Sequence, residues 1–95
     1  MRVLWSPLAQ TDIDDIWEYS FENWGFEQAD QYIADIRRTA QNLAERRSPR
    51  RPCDHIRKGY FRAVIASHIL FYTQAGEDMD VKRILHQSMD FHRHL

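Results

Sequence analysis

The chain has 95 residues, 43% hydrophobic and 28% charged, with a net charge of −1 and a single cysteine. That length gives one domain with one core, residues 1–95, and the composition excludes disordered, collagen-like and low-complexity classes. The lone Cys53 excludes an internal disulfide scaffold and fits a reducing cytoplasm, while Ala63–Ala66 and Ile69–Tyr72 are too short to cross a bilayer.

Residues Arg2–Ser6 read as a short strand, ended where Ser6 can cap a helix and Pro7 fits its first turn. Apolar or small side chains then recur at Ile13, Ile16, Trp17, Ser20 and Trp24, one face of a helix, with Trp17 expected in the core. Gly25 interrupts, and a second helix follows with Ala29, Ile33, Ile36, Ala40 and Leu43 on its inner face, widened by Tyr32 and Ala44. Ser48-Pro49 stops it. Two amphipathic helices joined at one glycine predict an antiparallel hairpin.

The period then changes. After a loop over Arg50–Gly59 come strands at Tyr60–Ala66, His68–Thr73 and Met79–His86, with turn chemistry at Gln74–Asp78. Short links make consecutive strands antiparallel neighbours. Strict alternation in the last strand puts Met79, Val81, Arg83 and Leu85 on one face, and Asp80, Lys82, Ile84 and His86 on the other. Ser88–Leu95 can form a short terminal helix. The expected fold is α+β, ordered β-α-α-β-β-β, an antiparallel sheet with the helical hairpin packed on one face.

Charge is segregated along the chain. Residues 1–36 carry a net −7, residues 37–62 a net +7, and residues 63–95 a net −1. Helix dipoles account for part of this. The four arginines Arg46, Arg47, Arg50 and Arg51 repel one another, and read either as a solvated loop or as a patch facing an acidic partner or phosphate.

Candidate chemistry is sparse. His86, His92 and His94 lack a metal-ligand motif, the glycines form no phosphate loop, and no metal or cofactor is expected. Cys53 lies in a basic loop that would lower its pKa, but only His55 is suggested as a base. A second constellation consists of Arg62 and Arg83, with His68, Tyr72 and His86 near them on the uncovered face of the sheet. Arginine clamps phosphate, and histidine or tyrosine moves a 2′-hydroxyl proton, so this set reads as a metal-free ribonuclease or as an ordinary solvated sheet face.

The ordered pieces Ser6-Pro7-Leu8-Ala9, Asp12–Tyr19, Trp24-Gly25, Gln28-Ala29, Gly59–Arg62, Ser67–Tyr72 and Arg83–Asp90 run through nearly the whole length. Together they resemble the ParE branch of the RelE/ParE superfamily of bacterial toxins from type II toxin–antitoxin systems. The resemblance implies a toxin that causes growth arrest by inhibiting DNA gyrase. It also implies a hetero-oligomer with a ParD-like, ribbon-helix-helix antitoxin that neutralises it. The related RelE branch cuts messenger RNA on the ribosome, and Arg62, Arg83 and His86 would carry that reaction here. No tyrosine follows Tyr72 and the only lysines are Lys58 and Lys82, departures that favour gyrase. A repressor partner without toxicity is the third reading. For antitoxin docking, a groove between the helices and along the sheet edge suits an amphipathic helix and an extended tail. Phe21, Trp24 and Tyr32 are the large side chains expected to remain after the core is filled, and Arg46, Arg47, Arg50 and Arg51 could pair with an acidic tail.

Overall fold

The computed structural model describes residues 2–46 and 49–95. Strand β1 (Val3–Trp5) leads into helix α1 (Pro7–Trp24), followed by α2 (Phe26–Ala44). Ser6 caps α1 as its type allows: its Oγ accepts from the Ala9 N–H at 3.0 Å and donates to the Lys82 carbonyl at 2.8 Å, tying the helix start to the sheet. Gly25 is the whole connection between the helices. At φ 92° it takes a backbone that a side chain would strain, donating to Phe21 O and accepting from Ala29 N. The predicted hairpin is thus formed, and it lies on one face of the sheet.

The sheet has five strands in the order β1-β5-β4-β3-β2, with β2 (Arg51–Pro52), β3 (Phe61–Ile65), β4 (His68–Ala75) and β5 (Asp78–His86). The three long strands are antiparallel neighbours, as expected. The sheet as a whole is mixed, however, because β1 runs parallel to β5 with Leu4 opposite Asp80. The predicted loop over residues 50–59 also contributes a strand, the two-residue β2 pairing with β3. Helix α3 (Phe91–His94), capped by Asp90, closes the chain.

A bulge corrects the expected alternation in β5. Phe71 faces Arg83 but Tyr72 faces Val81, leaving Lys82 as an extra residue. Met79, Val81 and Ile84 therefore all join the helix-side core, while Leu85 joins the far side. The helix-side core is built by Ala9, Ile13 and Ile16 of α1, by Ile36, Ala40 and Leu43 of α2, and by Leu70 and Tyr72 of β4. A smaller far-side cluster of Cys53, Ile69, Phe71 and Leu85 is covered by Ile56, Tyr60, Met89, Phe91 and Leu95, so that sheet face is not bare either. Trp17 is half-buried at the helix–helix boundary rather than in the core, its Nε1 donating to Asp30 at 2.8 Å.

Candidate docking cleft

Where the hairpin tip overhangs the β3–β4 turn, both helices and the sheet end enclose an open cleft of about 390 Å³. Tyr19, Ser20 and Trp24 of α1 form one wall, and Gln28, Gln31, Tyr32 and Asp35 of α2 another. Ala66, Ser67, His68 and His86 form the floor. Tyr19 and Trp24 meet edge-to-face at 5.8 Å and remain 61% and 62% exposed, far above a folded core's need. Outside the cleft, Trp17 stacks on Phe21 at 5.2 Å and meets Phe26 edge-on at 6.0 Å, leaving Phe21 and Phe26 exposed as well. Tyr19, Phe21, Trp24 and Phe26 thus stand exposed on either side of Gly25, and large exposed aromatic side chains are the type that anchors protein partners.

The floor is polar and ordered. The Tyr32 hydroxyl donates to the Ile65 carbonyl at 3.1 Å and shares a 2.6 Å hydrogen bond with His68 Nδ1. His68 meets His86 edge-to-face at 5.3 Å, and His86 Nδ1 shares a 2.7 Å hydrogen bond with Ser88 Oγ. Burial lowers the His68 pKa from its ordinary 6.5, and the neighbouring His86 pushes the same way against Asp12. Burial likewise raises the Tyr32 hydroxyl, so both groups are neutral at pH 7.

The arginine–histidine constellation does not assemble. His68, Tyr72 and His86 belong to the helix-side face, whereas Arg62 alternates with Phe61 and Ala63 and points to the far side, where its charge acts on Cys53. Arg83 is clasped instead: Nε and Nη2 donate to the two Asp12 oxygens at 2.8 and 2.9 Å, and Nη1 to the His94 carbonyl at 3.2 Å. The same Asp12 carboxylate accepts the Ile84 N–H, so one acid satisfies a strand edge and a guanidinium together. Asp12 stood in the sequence as one of a run of acids, with nothing local to single it out. Cys53 is fully buried, and burial raises its pKa, with Arg62 only partly opposing; the expectation of a lowered value is corrected. Among the described residues, no three of His, Cys, Asp and Glu gather as a metal site.

The residues expected to meet an antitoxin fall into two sets. Trp24 and Tyr32 line the cleft, Tyr32 half-buried, whereas Phe21 lies outside it, stacked on Trp17. Arg46, Arg50 and Arg51 lie beyond the other end of the 19-residue α2, about 27 Å along the helix axis. Arg46 and Arg51 are exposed; Arg50 is half-buried over the Phe61 ring and hydrogen-bonded to Gln74. Arg47 lies outside the described residues. Tyr19, Gln28 and Gln31 also line the cleft; as exposed positions off the buried stripe they are not singled out by helical spacing, and Tyr19 and Gln28 stand in the sequence only within the pieces that carry the family resemblance.

Residues 3–91 match the family described as "ParE toxin of type II toxin-antitoxin system, parDE". The chain is 41% identical over 95 residues to "Toxin ParE1" of Mycobacterium tuberculosis, covering 99% of this chain and 97% of that protein. It is 40% identical over 90 residues to "Toxin ParE1" of Caulobacter vibrioides, covering 95% and 93%. Its fold is similar to that of the chromosomal ParDE system from P. aeruginosa, with a TM-score of 0.77, 20% identity and 90% and 95% coverage. It is also similar to the YoeB–YefM complex from Staphylococcus aureus, with a TM-score of 0.58, 15% identity and 92% and 97% coverage.

Proposed function

The chain belongs to the ParE toxin family of type II toxin–antitoxin systems, and on that premise we propose that it inhibits DNA gyrase in the cytoplasm and is neutralised by a ParD-like antitoxin. The observation that carries this reading is the aromatic cleft at the hairpin tip, an interaction surface in which Tyr19 and Trp24 stand 61% and 62% exposed. An amphipathic helix laid along the hairpin would cover these rings, and its anchors would fill the cleft. The two-component names of the ParDE and YoeB–YefM structural neighbours support a protein partner. Toxicity then acts through surface complementarity with no covalent step. In favour of this, neither lysine nor arginine lines the cleft among the described residues, and Arg83, on the strand that carries His86, is paired with Asp12. Phosphoryl chemistry would need a free cation beside the base.

The test is a supercoiling assay with purified chain. Gyrase stops introducing supercoils as the chain is added, and an antitoxin encoded beside it restores activity. Unchanged supercoiling at saturating chain would end the gyrase reading; cleavage of messenger RNA that disappears in an Arg62→Ala, His86→Ala double variant with an unchanged urea midpoint would replace it.

A further inference from the structure

His68 opens β4 and His86 closes β5, and the strand register sets the two directly opposite each other. Opposite residues of an antiparallel pair hold their Cβ atoms about 5 Å apart, near enough for two imidazoles to share one ligand. Both rings stand on the floor of the hairpin-tip cleft, with His86 exposed and His68 half-buried.

Each ring is held through one nitrogen. The Tyr32 hydroxyl has a single proton, and it goes to the Ile65 carbonyl at 3.1 Å. The 2.6 Å contact with His68 is therefore donated by Nδ1–H, which leaves His68 Nε2 a bare lone pair. His86 is tied in the same place, Nδ1 to Ser88 Oγ at 2.7 Å. Among the described residues, no hydrogen-bond partner meets the Nε2 of either ring. An imidazole fixed by a hydrogen bond at one nitrogen and open at the other is arranged as a metal ligand is.

The spacing of the rings fits a shared ion. A metal–nitrogen bond is about 2.1 Å and Nε2 lies about 1.1 Å from the ring centre, so the centroid of a bound imidazole is about 3.2 Å from the ion. Two such rings at a tetrahedral angle have centroids about 5.2 Å apart. His68 and His86 stand at 5.3 Å, with their planes at 87°. No third His, Cys, Asp or Glu joins them among the described residues, so the other positions of the ion open on the cleft and take water.

We propose that His68 and His86 bind a divalent transition-metal ion of the zinc, nickel or copper type through their Nε2 atoms. With the ion bound, the His86 proton sits on Nδ1 and is donated to Ser88 Oγ, giving up the longer 3.2 Å contact from the Ser88 N–H. Such ions suit imidazole, whereas magnesium and calcium require oxygen donors. The two ligands come from different strands, so no short motif in the sequence marks them. The site stands whichever target the protein inhibits.

The full chain is titrated with zinc chloride near neutral pH, and the histidine ring resonances are followed by NMR. Those of His68 and His86 shift and saturate together. His86→Gln, an exposed substitution, weakens zinc binding at least about tenfold, as does His68→Gln, with circular dichroism checking both folds. A His92→Gln, His94→Gln double variant binds zinc as the wild type does. The proposal is overturned if zinc moves neither ring, if magnesium moves both to the same extent, if His86→Gln binds zinc unchanged, or if the double variant loses it. Gyrase and antitoxin take no part, so a negative result here leaves the supercoiling test open, and a negative supercoiling assay leaves the ion site standing.

Discussion

Asp12 and Arg83 join the first helix to the last strand and, through the His94 carbonyl, to the terminal helix. Their side chains are only 11% and 17% exposed, so removing either strands a charge out of reach of bulk water. Asp12→Ala or Arg83→Ala is expected to cost about 3 kcal/mol of stability, read as a lower urea midpoint. The hydrogen bonds that Arg83 donates to Asp12 raise the Arg83 pKa, so the guanidinium stays charged at any working pH. His68 gives a second expectation at this scale. Its folded pKa lies below the unfolded 6.5, so the unfolded chain takes up its proton first as pH falls. The stabilisation is complete above pH 6.5 and is lost through the window down to the lowered folded value. Urea midpoints measured from pH 7 to 5 should fall more steeply in the wild type than in His68→Gln. An NMR titration should place the His68 ring below its ordinary value.

At the scale of elements, helices announce themselves and strand partners do not. Ile13, Ile16 and Ser20, then Ala29, Ile36, Ala40 and Leu43, recur at the spacing of one helical face, and all are buried. Nothing local tells β1 that its partner is β5 or that it must run parallel, since register is set by packing across the sheet. The bulge at Lys82 was invisible for the same reason, and it is what sends Ile84 to the helix side and Leu85 to the far side. The candidate site was legible only in part: Phe21 and Trp24 were recognisable as aromatics in excess of a small core, whereas the Asp12 clasp on Arg83 joins residues 71 apart. The β3–β4 turn gives a direct test of local strain. Ala66 sits at φ 50°, a left-handed backbone unfavourable for a residue with a Cβ. Ala66→Gly should raise the unfolding free energy by about 0.5–1 kcal/mol, the relief of strain outweighing the added freedom of the unfolded chain. A lower melting temperature in that variant would count against a strained turn at the cleft floor.

At the scale of the whole molecule, charge and aromatic surface are separated along the hairpin. The aromatic tip belongs to the acidic first third of the sequence, and Arg46, Arg50 and Arg51 lie beyond the far end of α2. A partner that engages both must reach about 27 Å along α2 and change character on the way, from apolar anchors at the tip to acids at the far end. Trp24→Ala should weaken such a complex about thirtyfold, as for a central aromatic anchor, while leaving the urea midpoint nearly unchanged because Trp24 is 62% exposed. Isothermal titration against the purified partner, beside an unfolding curve, separates the two effects.

The parallel pairing of β1 with β5 has a consequence for synthesis. The first strand leaves the ribosome early, but β5, its neighbour in the sheet, begins at Asp78, and the Arg83 that clasps Asp12 comes later still. Contacts spanning that much sequence form late. A nascent chain halted before Asp78 has neither of them, so an interrupted translation product would lack the strand that ties β1 and the start of α1 to the rest of the sheet.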